Sequence, residues 1–404
     1  MGDINEMLTK ITIRNFKSIM NQGFFPGLMN IFIGANGSGK SNILEAIGVL
    51  SAAASGIIDD ESLQRRGVRL GMPGLYKSAF KEKRIAPHLF FEAKTDRARY
   101  SVTLNNSKEN FCSAWQYKTE ELISDGEVIL KRSSNQNNKI KQQGYAALKR
   151  VDMIENSSDM NAGADLLNII QNYAIYYPNT PVLRGIIPDL QPRTPVGLTG
   201  GRLADAIVEL QNRISKDEFI EDAFDDILTL IDWANSFDTT SNAESILSPS
   251  VARTKNIIRF TDKYMKAKYN QISAYDASEG VLYILFCSAL LLSPSSPKCF
   301  SIDNLDQALN PRLILNLTQL LCKWFTQNKK SPQLFFTAHN PAVLDGLNLK
   351  DDRIRLFTVD RNNQGHTEIT RVVMTKELLK LSNEKGWPLS RLWLMGHLGG
   401  VPNV

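Results

Sequence analysis

No run of this sequence is long and apolar enough to span a bilayer. The most apolar window, "GVLYILFCSALLL" at 280–292, has 13 residues, short of the roughly 20 that a membrane helix needs and suited to a buried one. The opening "MGDINEMLTK" is polar and lacks the apolar core of a signal segment. Cysteine is scarce. Cys112, Cys287, Cys299 and Cys322 show no CxxC spacing and read as buried, reduced thiols of a cytoplasmic protein. No repeat at 20–50 residues and no long heptad run is visible, so neither a solenoid nor an extended coiled-coil arm is expected. Neither sign of charge dominates. A net charge of +5 mildly favours anionic partners without implying nucleic acid.

What is present is ordinary for a globular chain: 404 residues, 43% hydrophobic and 22% charged, which suits about two lobes. "LTKITIRNFKSI" alternates like a strand, and "LMNIFIG" is a continuously apolar strand of the kind buried in a parallel sheet. "SNILEAIGVLSAAA" predicts a helix with Ile43, Leu44 and Ile47 on one stripe. Paired strands follow at "APHLFFEAKTD" and "ARYSVTLNN", then "FCSAWQYKTEELIS" and "EVILKR", joined by Asp125-Gly126. The polar stretch 133–144 reads as mobile. Residues 160–235 read as mainly helical. "NIIRFTDKYM", "KCFSID" and "PQLFFTAHN" read as strands, with a helix over "NPRLILNLTQLLCKWFTQ".

"GANGSGKS" at 34–41 fits G-x-x-x-x-G-K-[ST] in full, between an apolar strand and a helix, the context that confirms it. Glycines let backbone N–H groups turn inward on phosphates, and the helix N-terminus adds partial positive charge. The motif assigns ATP to Asn36, Gly37, Ser38, Gly39, Lys40, Ser41 and Asn42. Lys40 is expected on the β/γ-phosphates and Ser41 on Mg²⁺. "FSIDNLDQALNP" at 300–311 delivers Asp303 from a greasy strand, the way such folds present a carboxylate to Mg²⁺.

With these motifs the chain resembles the RecF/SMC-like branch of the ABC-type ATPases. More narrowly, it resembles the small ATPases of bacterial anti-phage systems related to overcoming-lysogenization-defect nucleases, Septu and PARIS. The resemblance covers about 5–60 and 270–345. "ITIRNFKSI" is similar to the family's opening strand, which would bring Arg14 and Lys17 near the nucleotide. "DASEGVLYIL" resembles its signature segment, in which Ser278 and Gly280 would approach the γ-phosphate held by a second subunit. "FFTAHNPAVLD" would supply His339 as a switch histidine. The resemblance implies ATP between two copies of the chain.

The family carries a glutamate, as general base, where this chain has Asn304. An amide orients water but takes no proton, a loss of about 10²–10⁴ in rate. Three readings stay open: Asp306 supplies the carboxylate, the protein is a slow ATP-gated clamp, or the asparagine is an introduced substitution. Slow but real turnover is the preferred expectation.

The segment 61–84 holds Arg65, Arg66, Arg69, Lys77, Lys81, Lys83 and Arg84 against Glu61 and Glu82. It reads either as a phosphate-backbone surface, with DNA as a further partner, or as a solvated face. The apolar C-terminal "GWPLSRLWLMGHLGGVPNV" either packs on its own lobe or docks a partner. No nuclease constellation is visible, so any nuclease or toxin effector is expected as a separate polypeptide. The expected fold is α/β, a P-loop NTPase of ABC/RecF-like type with an inserted helical lobe. Residues 1–140 and 244–404 would form the ATPase core and 141–243 the lobe. The leading expectation is a cytoplasmic, homodimeric or larger ATPase gating an effector; the alternatives are a DNA-repair clamp and a scaffold that keeps its ATP.

Overall fold

A computed structural model describes residues 7–81, 83–106, 115–133, 141–147, 161–242, 246–251, 255–328 and 331–400. Glu82, Cys112 and most of the polar stretch read as mobile lie outside the described residues.

The central sheet has the order β15-β14-β3-β13-β12-β8. These strands are β3 (Met29–Ile33), β8 (Ile175–Tyr176), β12 (Cys299–Ile302), β13 (Gln333–Ala338), β14 (Ile354–Arg361) and β15 (Thr367–Val372). All its pairings are parallel except the edge strand β15. Every residue of β3, β12 and β13 is buried, the price of a parallel sheet covered on both faces. The pleat sends Ile31 and Ile33 into one core and Phe32 into the other. Phe32 stacks between Phe335 and Phe357, with centroids 6.4 and 5.3 Å away.

One face carries the helix Lys40–Ala54, the helix Ala162–Gln171 and a six-stranded antiparallel sheet, β2-β1-β4-β5-β6-β7. Its strands are β1 (Lys10–Phe16), β2 (Ile19–Phe24), β4 (Leu89–Lys94), β5 (Ala98–Asn105), β6 (Gln116–Ser124) and β7 (Glu127–Arg132). In β5 buried and half-buried residues alternate, as in a sheet with one wet face. Asp125 and Gly126 turn between β6 and β7 with φ of 51° and 86°, the conformation the Asp-Gly pair predicts. The other face carries the helices Leu203–Ile214, Glu218–Leu230, Glu279–Leu292 and Pro311–Gln327. A small sheet, β9 (Ala234–Thr240), β10 (Ile257–Asp262) and β11 (Gln271–Ser273), joins them. The helix Glu279–Leu292 is buried nearly all round, which explains its uninterrupted apolar sequence.

Of the expected lobe, the described residues 161–242 supply helices to both faces and β8 to the central sheet. The opening segment, read as one strand, is a hairpin: it reverses at Lys17, whose φ is 47°, into β2. At the C-terminal end, Leu392, Trp393 and Leu398 are buried in the core, whereas Leu394 and Met395 face solvent. No helix among the described residues is long and apolar enough to cross a membrane.

Candidate functional site

The phosphate-loop motif leaves the C-terminal end of β3 and enters the helix Lys40–Ala54. Its glycines are needed for different reasons. Gly34 has φ of 155°, and a Cβ there would lie 2.1 Å from the Val359 carbonyl oxygen. Gly39 has φ of 112°, and a Cβ would lie 2.2 Å from Thr367 Oγ1. Gly37 has room around it but keeps a left-handed φ of 75°.

The loop is held from outside the motif. Thr367 Oγ1 donates to the Ser38 carbonyl at 2.7 Å and shares a 2.7 Å hydrogen bond with Ser18 Oγ. Asn42 Nδ2 donates to Ser18 Oγ at 2.8 Å. Arg361 Nε donates to the Gly37 carbonyl at 3.0 Å. Asn36 and Gly37 face solvent at the loop's tip.

Lys40 Nζ donates to the carbonyls of Gly34, at 2.8 Å, and Ala35, at 3.0 Å. Burial lowers its pKa to about 8, against the opposing pull of Asp303 and Asp306. Ser41 Oγ donates to Asp303 Oδ1 at 3.1 Å, and Thr337 Oγ1 donates to the same oxygen at 2.6 Å. A hydroxyl and a carboxylate oxygen in contact form a donor set that suits a hard divalent cation. Ser38 Oγ is buried without a hydrogen-bond partner among the described residues, an unmet demand in a loop shaped for phosphate oxygens.

β12 and β13 are neighbours, so the residues following them meet. Asn304 takes a left-handed φ of 56°, a conformation asparagine tolerates, and its N–H donates to Thr337 Oγ1 at 2.8 Å. Asp306 Oδ2 accepts the backbone N–H of His339 at 2.8 Å and that of Asn340. His339 is solvent-exposed at the end of β13. Its pKa is lowered by partial burial of the ring and then by the charge of Lys40, which favours the neutral imidazole. Lys40, Ser41, Asp303, Asn304, Asp306 and His339 therefore gather at the carboxyl ends of three adjacent strands, where open α/β sheets bind ligands.

Ser278 caps the helix Glu279–Leu292. Its side chain is exposed and makes no capping hydrogen bond. Gly280 abuts the loop that follows Asp303: a Cβ there would lie 3.3 Å from the Ala308 carbonyl oxygen. Lys17 is joined to the phosphate-loop helix through Glu45, with which it pairs. The Arg14 guanidinium lies 5.0 Å from the Phe90 ring centroid, on the antiparallel sheet.

Glu45 escaped the sequence reading. It is a buried carboxylate that also accepts Arg69 Nε at 2.5 Å and the Arg69 N–H at 3.3 Å. The signal was a lone acid on an otherwise apolar helix. Thr337 had a similar signal, a hydroxyl inside the apolar "LFFTA". Ser18, Arg361 and Thr367 had none, since their roles depend on which strands end beside the loop.

The basic stretch 61–84 is not one surface, and the reading of it as a continuous face is corrected. Arg66 is buried, donating to Ser51 Oγ at 2.7 Å, the Ser62 carbonyl at 2.7 Å and Ser55 Oγ at 2.6 Å. Burial lowers its pKa to about 10. Lys77 is also buried, with Nζ 2.9 Å from Asn105 Oδ1. Arg65 pairs with Glu61 on its own helical turn. Lys81, Lys83 and Arg84 remain exposed.

Comparison with known proteins gives a consistent picture. Residues 29–345 match the AAA_21 family model, described as "AAA domain, putative AbiEii toxin, Type IV TA system". No curated protein matches the chain. Among solved structures, the chain is similar to an SMC head bound to the C-winged helix domain of ScpA. The two are 12% identical with a TM-score of 0.54, over 92% of this chain and 99% of that one. It is also similar to an SMC head with an extended coiled coil bound to the C-terminal domain of ScpA derived from Pyrococcus furiosus. There the identity is 12% and the TM-score 0.51, over 94% and 99% of the two chains. At such identity the likeness is one of fold.

Proposed function

The chain belongs to the AAA-domain family matched across residues 29–345, and from that premise we propose that it is a slow ATPase whose active form is a dimer with ATP between its copies. The observation that carries this reading is the 3.1 Å contact between Ser41 Oγ and Asp303 Oδ1, which joins the phosphate loop to the strand-end carboxylate 262 positions away.

Lys40 would release the Gly34 and Ala35 carbonyls and turn to the β- and γ-phosphates, with Ser38 Oγ and the loop N–H groups supplying further donors. Ser41 and Asp303 would hold Mg²⁺, which offsets phosphate charge when bound. Neutral His339 would orient the attacking water. Asn304 would hold that water without taking its proton, which makes turnover slow. Ser278, exposed and uncommitted at a helix N-terminus, would close on the γ-phosphate of the opposite copy. Lys17 and Arg69, gathered by Glu45, add positive charge beside the loop.

The biological reading is a gate on a separate effector, a nuclease or toxin, in anti-phage defence. The resemblance to defence ATPases supports it. So does the family description, which names a toxin–antitoxin system. The solved SMC heads are bound to a second protein, ScpA, which favours a docked partner here. Native mass spectrometry of the full chain with ATP and Mg²⁺ tests the core of the proposal. A nucleotide-dependent dimer that Ser278→Arg abolishes supports it. A monomer that retains ATP, indifferent to that substitution, overturns it.

A further inference from the structure

The strands β10 and β11 are joined by "KYMKAKYN", 263–270, a segment with three lysines and no acidic residue. Every side chain from 263 to 269 faces solvent. Tyr264 is 76% exposed, Met265 53% and Tyr269 66%. An isolated exposed aromatic is unremarkable in a surface. Two tyrosines and a methionine among three lysines, on one turn, form a patterned feature that the nucleotide site does not explain.

The turn is also built. Asp262 Oδ1 accepts the N–H of Tyr264 at 2.7 Å and that of Met265 at 3.2 Å. The Lys263 N–H donates to the Trp233 carbonyl at 3.1 Å, and the Tyr269 N–H to the Lys266 carbonyl at 2.7 Å. Asp262 and Asn270 close the neck with a 2.7 Å backbone bond. The rings are therefore presented on a fixed frame, and Asp262 at the neck has one carboxylate oxygen on backbone amides. Lys263 Nζ lies 5.1 Å from the Tyr264 ring centroid and Lys268 Nζ 5.8 Å from that of Tyr269. Each ring has an ammonium against it and most of its surface still open.

Lysines pair with phosphates wherever a polyanion supplies them. Exposed tyrosines add something only if the polyanion offers flat, unpaired surfaces on which to stack. A duplex keeps its bases stacked on each other; a single strand does not. We propose that the β10–β11 turn, residues 263–269, binds single-stranded nucleic acid, with Lys263, Lys266 and Lys268 on phosphates and Tyr264 and Tyr269 stacked on bases. The proposal makes no use of the nucleotide chemistry above.

The test is fluorescence anisotropy of the full chain with a labelled oligo-dT of about 20 nucleotides, with a duplex of equal length and phosphatidylserine vesicles as comparisons. The oligo-dT is expected to bind more tightly than the duplex. Tyr264→Ala with Tyr269→Ala should weaken it by about tenfold or more per ring, and Tyr→Phe at both positions should preserve it. Lys263→Ala, Lys266→Ala and Lys268→Ala together should reduce the slope of log affinity against log salt by about 2. These side chains lie outside the core, so unchanged circular dichroism and melting are expected in each variant. Unaltered oligo-dT affinity in the tyrosine variant overturns the proposal. So does a preference for duplex, or binding of vesicles without binding of the oligonucleotide.

Discussion

The carboxylate of Asp306 accepts the backbone N–H of His339 at 2.8 Å, tying the end of β12 to the end of β13. Because Asn340 donates to the same oxygen, this acid sets the exit path of the histidine's chain. Asp306→Ala should free two amides at a cost of about 1–3 kcal/mol. It should lower turnover at least tenfold while leaving ATP affinity nearly unchanged. If Asp306 acts through His339, the Asp306→Ala, His339→Ala double variant should turn over no more slowly than the worse single one. Steady-state phosphate release and isothermal titration read the two quantities.

Asn304→Glu restores a proton acceptor at the position where the resembling family has one. Phosphate release should rise by about 10²-fold or more if the missing base is what limits the rate. Glutamate fits the left-handed φ of 56° less well than asparagine, so the melting temperature should fall by the equivalent of about 1 kcal/mol. An unchanged rate would place the limit elsewhere, at closure or at release of product.

ATP affinity should depend on pH through Lys40. Burial favours the neutral amine, so the free protein binds that proton with a pKa of about 8. Phosphates favour the ammonium, so the bound state holds the proton to higher pH. Affinity should be flat below pH 8 and fall above it by up to tenfold per pH unit, with a proton taken up on binding. Titrations in buffers of different ionisation enthalpy would reveal that uptake.

Glu45→Gln removes the anion shared by Lys17 and Arg69. A neutral amide holds two cations poorly. The variant should lose about 1–3 kcal/mol of stability and roughly tenfold in ATP affinity. Glu45→Asp, which keeps the charge on a shorter stem, should recover part of both. Thermal denaturation and nucleotide titration together separate this from a general loss of packing.

Two glycines of one loop should behave differently. Gly39→Ala places a methyl 2.2 Å from Thr367 Oγ1 at a φ of 112° and should abolish nucleotide binding. Gly37→Ala meets no atom within 4 Å and should cost about 1–2 kcal/mol for its φ of 75°, with binding retained.

The strands and helices that carry Lys40, Ser41, Asp303 and His339 were legible because each announces itself locally. An apolar run ends in a glycine loop, in a carboxylate or in a histidine. The helix Pro311–Gln327 was legible in full from its apolar pattern, and the structure adds the Asn310 cap at its start. What stayed hidden depends on distant pairing. Thr367 reads as a surface threonine until β15 is placed antiparallel to β14 and beside the phosphate loop. Arg66 looks like its exposed neighbour Arg65; only tertiary packing turns one of them inward. Charge counted along a chain does not say which side chains face water, and this is why the basic stretch 61–84 misled.

Ser18 and Thr367 are hydrogen-bonded across 349 positions of chain, and both lean on the loop that Lys40 closes. During synthesis the loop and its helix emerge before the buttress that fixes them, which arrives only with β15. A nascent chain still short of that strand has the motif without the shape, so nucleotide capture must await the synthesis of β15.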